Sequence, residues 1–310
     1  MWQGPPFTHQ ATSRPNPCPG PMSMYASVII RAKNEEATIQ DTLISVRDQT
    51  VNSEIIVVDS ESTDATVAIA RRYCDTLITI ARSEFTYGRS LNVGASAARG
   101  DILFALSAHC TLPTRHWIEW SLDAYTNPVV GGTHGGLYSP DGRQLDTSML
   151  AGLEDLSTDL EWGFSNHASS WRHDLWETFP FNEHLAACED KEWMWRVCRA
   201  GWKIMVDPRL AVPASHRRAA GPRRLFVRTY KEHCSLAQFL DFQPMPFSRF
   251  PAVWWSYFPG YSPHPHWKRR LNPLRSAELL GALAGDHAGA RHRLPEAIKV
   301  QRAQPSLGAY

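Results

Sequence analysis

Two adjacent acids, Glu189 and Asp190, begin a segment rich in tryptophan. The spacing of the residues that follow predicts a helix over 190–200, on which Glu189 and Trp193 share one face and Asp190 points elsewhere. A first-turn acid is commonly only a partner of the helix dipole, which is one interpretation of the pair. The other is acid–base chemistry, with the Trp193 ring as a platform for a substrate.

Polar and charged residues also follow three apolar runs of the chain. They occupy Arg31–Asn34, Asp59–Ser62 and Ser107–His109. Asp59 is a turn former and Arg31 and Lys33 are solvated charges in the simplest interpretation. Cations at a strand end also suit phosphate groups, and the imidazole of His109 is a ligand that Mn²⁺ accepts.

Alternating strand and helix patterns determine where these residues lie. The predicted strands are 26–30, 54–58, 77–80, 102–106, 131–136 and 203–206, and the predicted helices are 35–49, 91–99, 190–200 and two more that begin near 63 and 114. Asn34 is the expected cap of the first helix. This alternation predicts an α/β fold whose mostly parallel sheet is covered by helices on both faces, with ligands beyond the carboxyl ends of the strands.

Four segments of the chain resemble family 2 glycosyltransferases, which have the GT-A fold and use nucleotide-diphosphate sugars. In chain order they read SVIIRAKNEEATIQDTLISV, EIIVVDSESTDAT, YGRSLNVGASAARGDILFAL and FNEHLAACEDKEWMWRVCRAGWKI. The resemblance implies a GT-A domain over 25–217. It is expected to follow a disordered, proline-rich leader over 1–24 and to precede a helical or irregular extension over 218–310.

The resemblance also implies a role for each candidate residue. Asp190 is the expected general base of an inverting transfer, Glu189 is its support, and Trp193 is an acceptor contact. Asp59 is expected to contact the nucleotide base. The expected donor-binding residues are Arg31, Lys33, Glu35, Asp59, Arg89, Asn92 and Ser107.

The chain departs from the family pattern at Ser107-Ala108-His109. The family has an Asp-x-Asp motif here, whose carboxylates hold a divalent metal, and their loss is expected to weaken metal binding. His109 and His216 are the expected metal contacts in this chain. We therefore expect Mn²⁺ or Mg²⁺ as a cofactor, and the altered motif leaves open whether it is required.

Composition and charge exclude other classes of protein. The chain has 32 Lys and Arg against 31 Asp and Glu, so nucleic acid is not an expected partner. The six cysteines form no CxxC pair, which argues against a zinc ribbon or disulfide scaffold and favours a cytoplasmic location. Segment 1–24 lacks the apolar stretch of a signal peptide.

The expected partners are a nucleotide-sugar donor and a glycan or lipid-linked acceptor. The basic run from Arg217 to Lys231 and the aromatic segment 250–267 suit either a lid over the GT-A domain or peripheral docking at the cytoplasmic face of a membrane. Four prolines in 250–267 argue against a spanning helix.

Two other functions stay open at this point. A catalytically inactive nucleotide-sugar-binding protein would suit the altered motif at 107–109. A nucleotidyltransferase would use similar phosphate and metal chemistry, although a glycine-rich phosphate loop with a following Lys is missing near the first strand. Free nucleoside diphosphate would mark sugar transfer, pyrophosphate would mark nucleotidyl transfer, and a pure binder would give neither.

Overall fold

One sheet of eight strands organises the computed structural model, which describes residues 24–160, 162–212, 221–249, 251 and 273–299. The strands are β1 Ala26–Ala32, β2 Ser53–Asp59, β3 Thr76–Thr79, β4 Ile102–Ser107, β5 Val130–His134, β6 Met149–Ala151, β7 Ala168–Arg172 and β8 Lys203–Val206. Their order across the sheet is β3-β2-β1-β4-β7-β5-β8-β6. The first four strands are parallel, whereas β6 and β7 run antiparallel to their neighbours.

Helices cover both faces of this sheet, as the sequence predicts. They are α1 Ile39–Arg47, α2 Thr66–Ala70, α3 Tyr87–Ala97, α4 Trp117–Asp123, α5 Leu153–Leu156, α6 His173–Thr178 and α7 Glu189–Arg199. Successive side chains of a strand point to opposite faces. Val28 and Ile30 therefore pack in the cluster that includes α1 and α4, whereas Ile29 packs in the cluster that includes α3 and α7. The α/β fold class is confirmed.

The first helix begins later than predicted. Asn34 has a φ of 53° and its side-chain oxygen accepts a hydrogen bond from the main-chain N–H of Thr63. It therefore connects two loops rather than capping α1, whose N-cap is Thr38. Both loops lie at the carboxyl edge of the sheet, which places Asn34 in the wall of the candidate site.

Two long helices form the described part of the C-terminal segment. They are α8 Pro222–Phe239 and α9 Pro273–Arg291, and short strands β9 Leu240–Asp241 and β10 Ile298–Lys299 follow them. A Cβ on Gly285 would lie 2.5 Å from the main-chain oxygen of Tyr230, so glycine is what allows the two helices to touch. The predicted leader, apart from Met24, and the predicted aromatic segment, apart from Pro251, lie outside the described residues.

Candidate functional site

The register of the parallel strands brings polar residues of three strand ends together. Ala32 pairs with Asp59 on β2, and Arg31 pairs with Ser107 on β4. Because these strands run in the same direction, their carboxyl ends form a single edge. The first turn of α7, with Glu189, reaches this edge through a contact with Arg31.

Glu189 is buried at this edge and is 4% exposed. Its Oε1 accepts hydrogen bonds from Arg31 Nη1 and from the Asn166 side-chain amide, each at 3.3 Å. Burial, followed by the charge of Asp190, raises the pKa of Glu189 to about 7, while Arg31 opposes the rise. The protonated form of Glu189 is therefore favoured over what an exposed glutamate would show.

Asp190 is partly exposed next to this buried group. Its Oδ2 accepts from the main-chain N–H of Asn166 at 3.1 Å, and its Oδ1 accepts from the main-chain N–H of Lys191 at 2.8 Å. Each oxygen keeps a lone pair after these bonds. An oriented carboxylate of this kind can accept a proton from a hydroxyl group that approaches the edge.

Asn166 contacts both acids, and no pattern in the sequence predicts its role. It is 1% exposed, and its main-chain oxygen accepts from Arg31 Nη2 at 3.3 Å. Its side-chain oxygen accepts from Ser169 Oγ at 3.1 Å. Asn166 lies two residues before β7, a strand whose ASSWR sequence gave no strand signal, so only the fold reveals its position.

Asp59 ends β2 at this edge and is 1% exposed. Its Oδ2 accepts from the main-chain N–H of Ser62 at 2.9 Å, whereas its buried Oδ1 has no partner among the described residues. An unsatisfied buried acceptor suits an N–H donor of a bound ligand. Nearby, the Lys33 ammonium donates to the main-chain oxygen of Glu61.

Arg31 and Arg89 are both already paired. The Arg31 side chain is 14% exposed, and its guanidinium also lies over the Tyr87 ring at 5.3 Å. Arg89 is more open, with 39% of its side chain exposed, and pairs with Glu84 and Glu183. A diphosphate would therefore have to compete with carboxylates for either cation.

Two predicted contact residues are held inside the structure. Trp193 is fully buried, and its indole N–H donates to the main-chain oxygen of Phe179 at 2.7 Å. The Asn92 amide donates to Phe181 and Glu183 and accepts from the Trp176 indole. Both side chains already have partners within the fold, so neither is open to a ligand in this structure.

The imidazole of His109, in the Ser107-Ala108-His109 segment, lies next to the carboxylate of Glu35. His109 Nδ1 lies 3.2 Å from Glu35 Oε1, and both side chains are about one-quarter exposed. No group of three or more His, Cys, Asp or Glu suited to a metal occurs in the described part of the chain. His216 lies outside the described residues.

Comparisons relate this chain to known proteins by sequence. Residues 27–167 match the sequence model of Glycosyl transferase family 2. The O-antigen chain rhamnosyltransferase WbaN of Salmonella anatum is 29% identical over 200 residues, which are 57% of this chain and 61% of that protein. Glycosyltransferase AglE of Haloferax volcanii is 30% identical over 193 residues, 58% of this chain and 63% of that protein.

Two solved structures share the fold. Mannosyltransferase PcManGT from Pyrobaculum calidifontis, in complex with GDP-Man and Mn²⁺, has a TM-score of 0.55 at 19% identity over 86% of this chain and 72% of that one. TarS 1–349 of S. aureus has a TM-score of 0.50 at 15% identity over 91% of this chain and 98% of that one. This chain spans less than two thirds of the length of the curated relatives named above. Residues 27–167 match family 2 glycosyltransferases, and the chain shares the fold of these two solved structures.

Proposed function

We propose that this protein transfers a sugar from a nucleotide-diphosphate donor to an acceptor hydroxyl with inversion at the anomeric carbon. The partly exposed Asp190 carboxylate, oriented by two main-chain N–H groups at the carboxyl edge, carries this proposal. The family match over 27–167 supports it.

Asp190 is the general base of the proposed reaction. It takes the proton of the acceptor hydroxyl as the acceptor oxygen forms a bond to the anomeric carbon. The bond from that carbon to the diphosphate oxygen breaks on the opposite face, and the electron pair leaves with the nucleoside diphosphate. A single displacement needs no enzyme nucleophile, and general-base assistance is typically worth about 10²–10⁴-fold in rate.

Glu189 supports the base rather than replacing it. Its carboxyl is 4% exposed and is hydrogen-bonded by Arg31 and Asn166, so it does not reach the acceptor hydroxyl at the surface of the site. Glu189 forms an ion pair with the Arg31 guanidinium at 3.3 Å. We propose that this pair sets the distance between the donor edge and the first turn of α7.

The donor is a nucleotide-diphosphate sugar in this proposal. The unpartnered Oδ1 of Asp59 suits an N–H of the nucleotide base, and Lys33, Arg31 and Arg89 supply positive charge for the diphosphate. Two structural relatives support a donor of this class, because PcManGT is described with GDP-Man and TarS 1–349 with UDP-GlcNAc. Ser107 pairs with Arg31 and completes the donor edge.

A divalent metal fits part of this edge. The His109 imidazole and the Glu35 carboxylate, 3.2 Å apart, are two ligands of the kind that Mn²⁺ accepts, and donor phosphate oxygens would supply others. When bound, such an ion would stabilise negative charge on the leaving diphosphate. With only two protein ligands described, we expect metal binding to depend strongly on the donor.

The acceptor in this proposal is a glycan or a lipid-linked glycan. The name of the relative WbaN, an O-antigen chain rhamnosyltransferase, supports such an acceptor. In the described part of the chain, no helix combines the length and apolarity needed to cross a bilayer. For a membrane-borne acceptor we propose surface docking through α8, which presents exposed Arg223, Arg224, Phe226 and Val227.

Donor screening followed by product analysis tests the proposal. Thermal shifts are measured with UDP-GlcNAc, GDP-mannose and dTDP-rhamnose, each with and without Mn²⁺, because a ligand that binds only the folded state raises its melting temperature. The stabilising donor is then incubated with acceptor glycosides. Release of nucleoside diphosphate with a new inverted glycoside supports the proposal. Pyrophosphate release would favour a nucleotidyltransferase, and stabilisation without turnover would favour an inactive binding protein.

A further inference from the structure

The helix that carries Glu189 and Asp190 starts from a strained residue. Cys188 is the N-cap of α7 and has φ 58° and ψ 26°, which is the left-handed region. A residue with a Cβ rarely adopts this conformation. It persists where the surrounding structure holds it, so the turn at 187–188 needs support from outside α7.

Helix α8 provides that support. The main-chain N–H of Ala187 donates to Ser235 Oγ at 3.2 Å. The Cys188 thiol donates to the main-chain oxygen of Glu232, with 3.6 Å between sulfur and oxygen. Glu232 and Ser235 lie three residues apart on α8 and thus on one face, and Ser235 is 1% exposed.

Helix α8 is itself held firmly by α9. A Cβ on Gly281 would lie 2.7 Å from the main-chain oxygen of Phe226, so the helices touch backbone to backbone. His233 Nδ1 lies 2.9 Å from Asp286 Oδ1, and both side chains are buried. The helix that contacts residues 187–188 is therefore itself packed closely against α9.

We propose that Ser235 is a positioning residue, through which α8 fixes the left-handed turn that orients Asp190. This inference rests on the proposed role of Asp190 as the base. It gives the C-terminal helices, which lie outside the residues 27–167 that match the family, a part in the reaction. A tilt of the first turn of α7 moves the Asp190 carboxylate relative to a donor held at the strand ends, and a shift of about 1 Å can cost about 10²-fold in rate.

Ser235→Ala tests this link, with Thr229→Ala as the matched control on the same helix. Thr229 is also buried, but it faces Gly281. We expect Ser235→Ala to lower kcat about tenfold with donor affinity unchanged, and Thr229→Ala to keep the wild-type kcat per folded enzyme. Equal kcat values for Ser235→Ala and the wild type, or equal losses in both variants, would overturn the proposal.

The same substitution in a Cys188→Gly variant tests whether the strained turn causes the loss of kcat in Ser235→Ala. Glycine adopts the left-handed region without strain, so Cys188→Gly should make the turn less dependent on α8. We expect Ser235→Ala to cost clearly less in the Cys188→Gly background than in the wild type. The same loss in both backgrounds would show that Ser235 does not act through this turn.

Hydrogen–deuterium exchange tests the inference without any activity. We expect faster exchange of the Ala187 amide in Ser235→Ala than in Thr229→Ala, because the amide has lost its acceptor. Unchanged exchange would overturn the inference, whatever reaction the protein performs. Absence of sugar transfer by the wild type would count against the proposed function, whereas the exchange rates would still show whether Ser235 holds the turn at 187–188.

Discussion

The guanidinium of Arg31 lies 3.3 Å from the carboxylate of Glu189, which joins the end of β1 to the first turn of α7. The two residues are 158 positions apart in the chain. Arg31 stands on the side of the edge proposed for the donor, and Glu189 is next to the proposed base. The contact thus links the proposed donor site to the proposed base. Donor binding and base catalysis can be tested separately.

The base is tested by Asp190→Asn, which keeps the size of the side chain and removes its ability to take a proton. We expect kcat to fall by about 10²-fold or more while the donor affinity stays similar. Asp174→Asn is the matched control, because Asp174 is also a first-turn acid that accepts from the next main-chain N–H, at 2.7 Å. Wild-type turnover in Asp190→Asn would exclude Asp190 as the base.

The raised pKa of Glu189 predicts a pH-dependent cost to stability. Between the ordinary value of 4.5 and about 7, the folded protein holds a proton that the unfolded chain has released. The contribution of Glu189 to the free energy of unfolding therefore falls as pH rises through this window and is lowest above pH 7. Glu189→Gln does not titrate, so we expect it to gain stability relative to the wild type from pH 5 to pH 7, by up to about 3 kcal/mol.

Urea unfolding at several pH values measures this difference. Glu177→Gln, a change at an exposed position of α6, is the control, and its difference from the wild type should stay flat over the same range. A pH-independent difference for Glu189→Gln would show that Glu189 is ionised in the folded protein well below pH 7.

Metal binding at the altered motif is tested by His109→Ala. If His109 and Glu35 hold the ion, the variant should lose the enhancement of donor affinity by Mn²⁺, measured by calorimetry. His116→Ala is the control, since His116 forms a similar pair with Glu119, at 2.8 Å, but is exposed on the surface. An unchanged response to Mn²⁺ in His109→Ala would place His109 outside the ligands of the metal.

Asn166 is tested by comparing two substitutions. Asn166→Ala removes the amide that donates to Glu189 at 3.3 Å, and we expect kcat to fall about tenfold. Asn166→Asp should cost more than Asn166→Ala, because a third carboxylate next to Glu189 and Asp190 adds like-charge repulsion. A smaller loss for Asn166→Asp than for Asn166→Ala would contradict this reason.

Membrane docking through α8 is tested by reversing two exposed charges. Arg223→Glu with Arg224→Glu should weaken co-sedimentation with anionic vesicles, since each cation near such a surface contributes about 1 kcal/mol. Arg71→Glu with Arg72→Glu reverses an exposed pair that follows α2 and should have little effect. Equal binding of both double variants, or no wild-type binding at low salt, would contradict docking through α8.

Apolar periodicity correctly predicted the helices and strands that bury regularly spaced apolar side chains. Ile39, Leu43 and Val46 are buried on one face of α1, and β8 has the predicted bounds. Strand β7 was missed because its buried Ser169 and Ser170 are polar. Polar groups such as Ser170 are buried only where distant residues supply partners, and no local pattern encodes those partners.

The candidate site shows the same limit. Spacing correctly separates Glu189 and Trp193 from Asp190, but it cannot tell whether a helix face points to solvent or to the core. The predicted acceptor role of Trp193 needs an exposed face, whereas Trp193 packs against Phe164 and Phe181. Asn166 was missed since its importance depends on contacts with residues far along the chain.

Two of the contacts that Asn166 makes at the site come from its peptide groups. The N–H that holds Asp190 and the C=O that holds Arg31 are supplied by almost any residue, proline excepted for the N–H. A substitution of Asn166 can therefore remove the hydrogen bond to Glu189 while the main-chain hydrogen bond to Asp190, the proposed base, is kept. Residue 166 can therefore change the acidity of Glu189 through its side chain, separately from the main-chain hydrogen bond to Asp190.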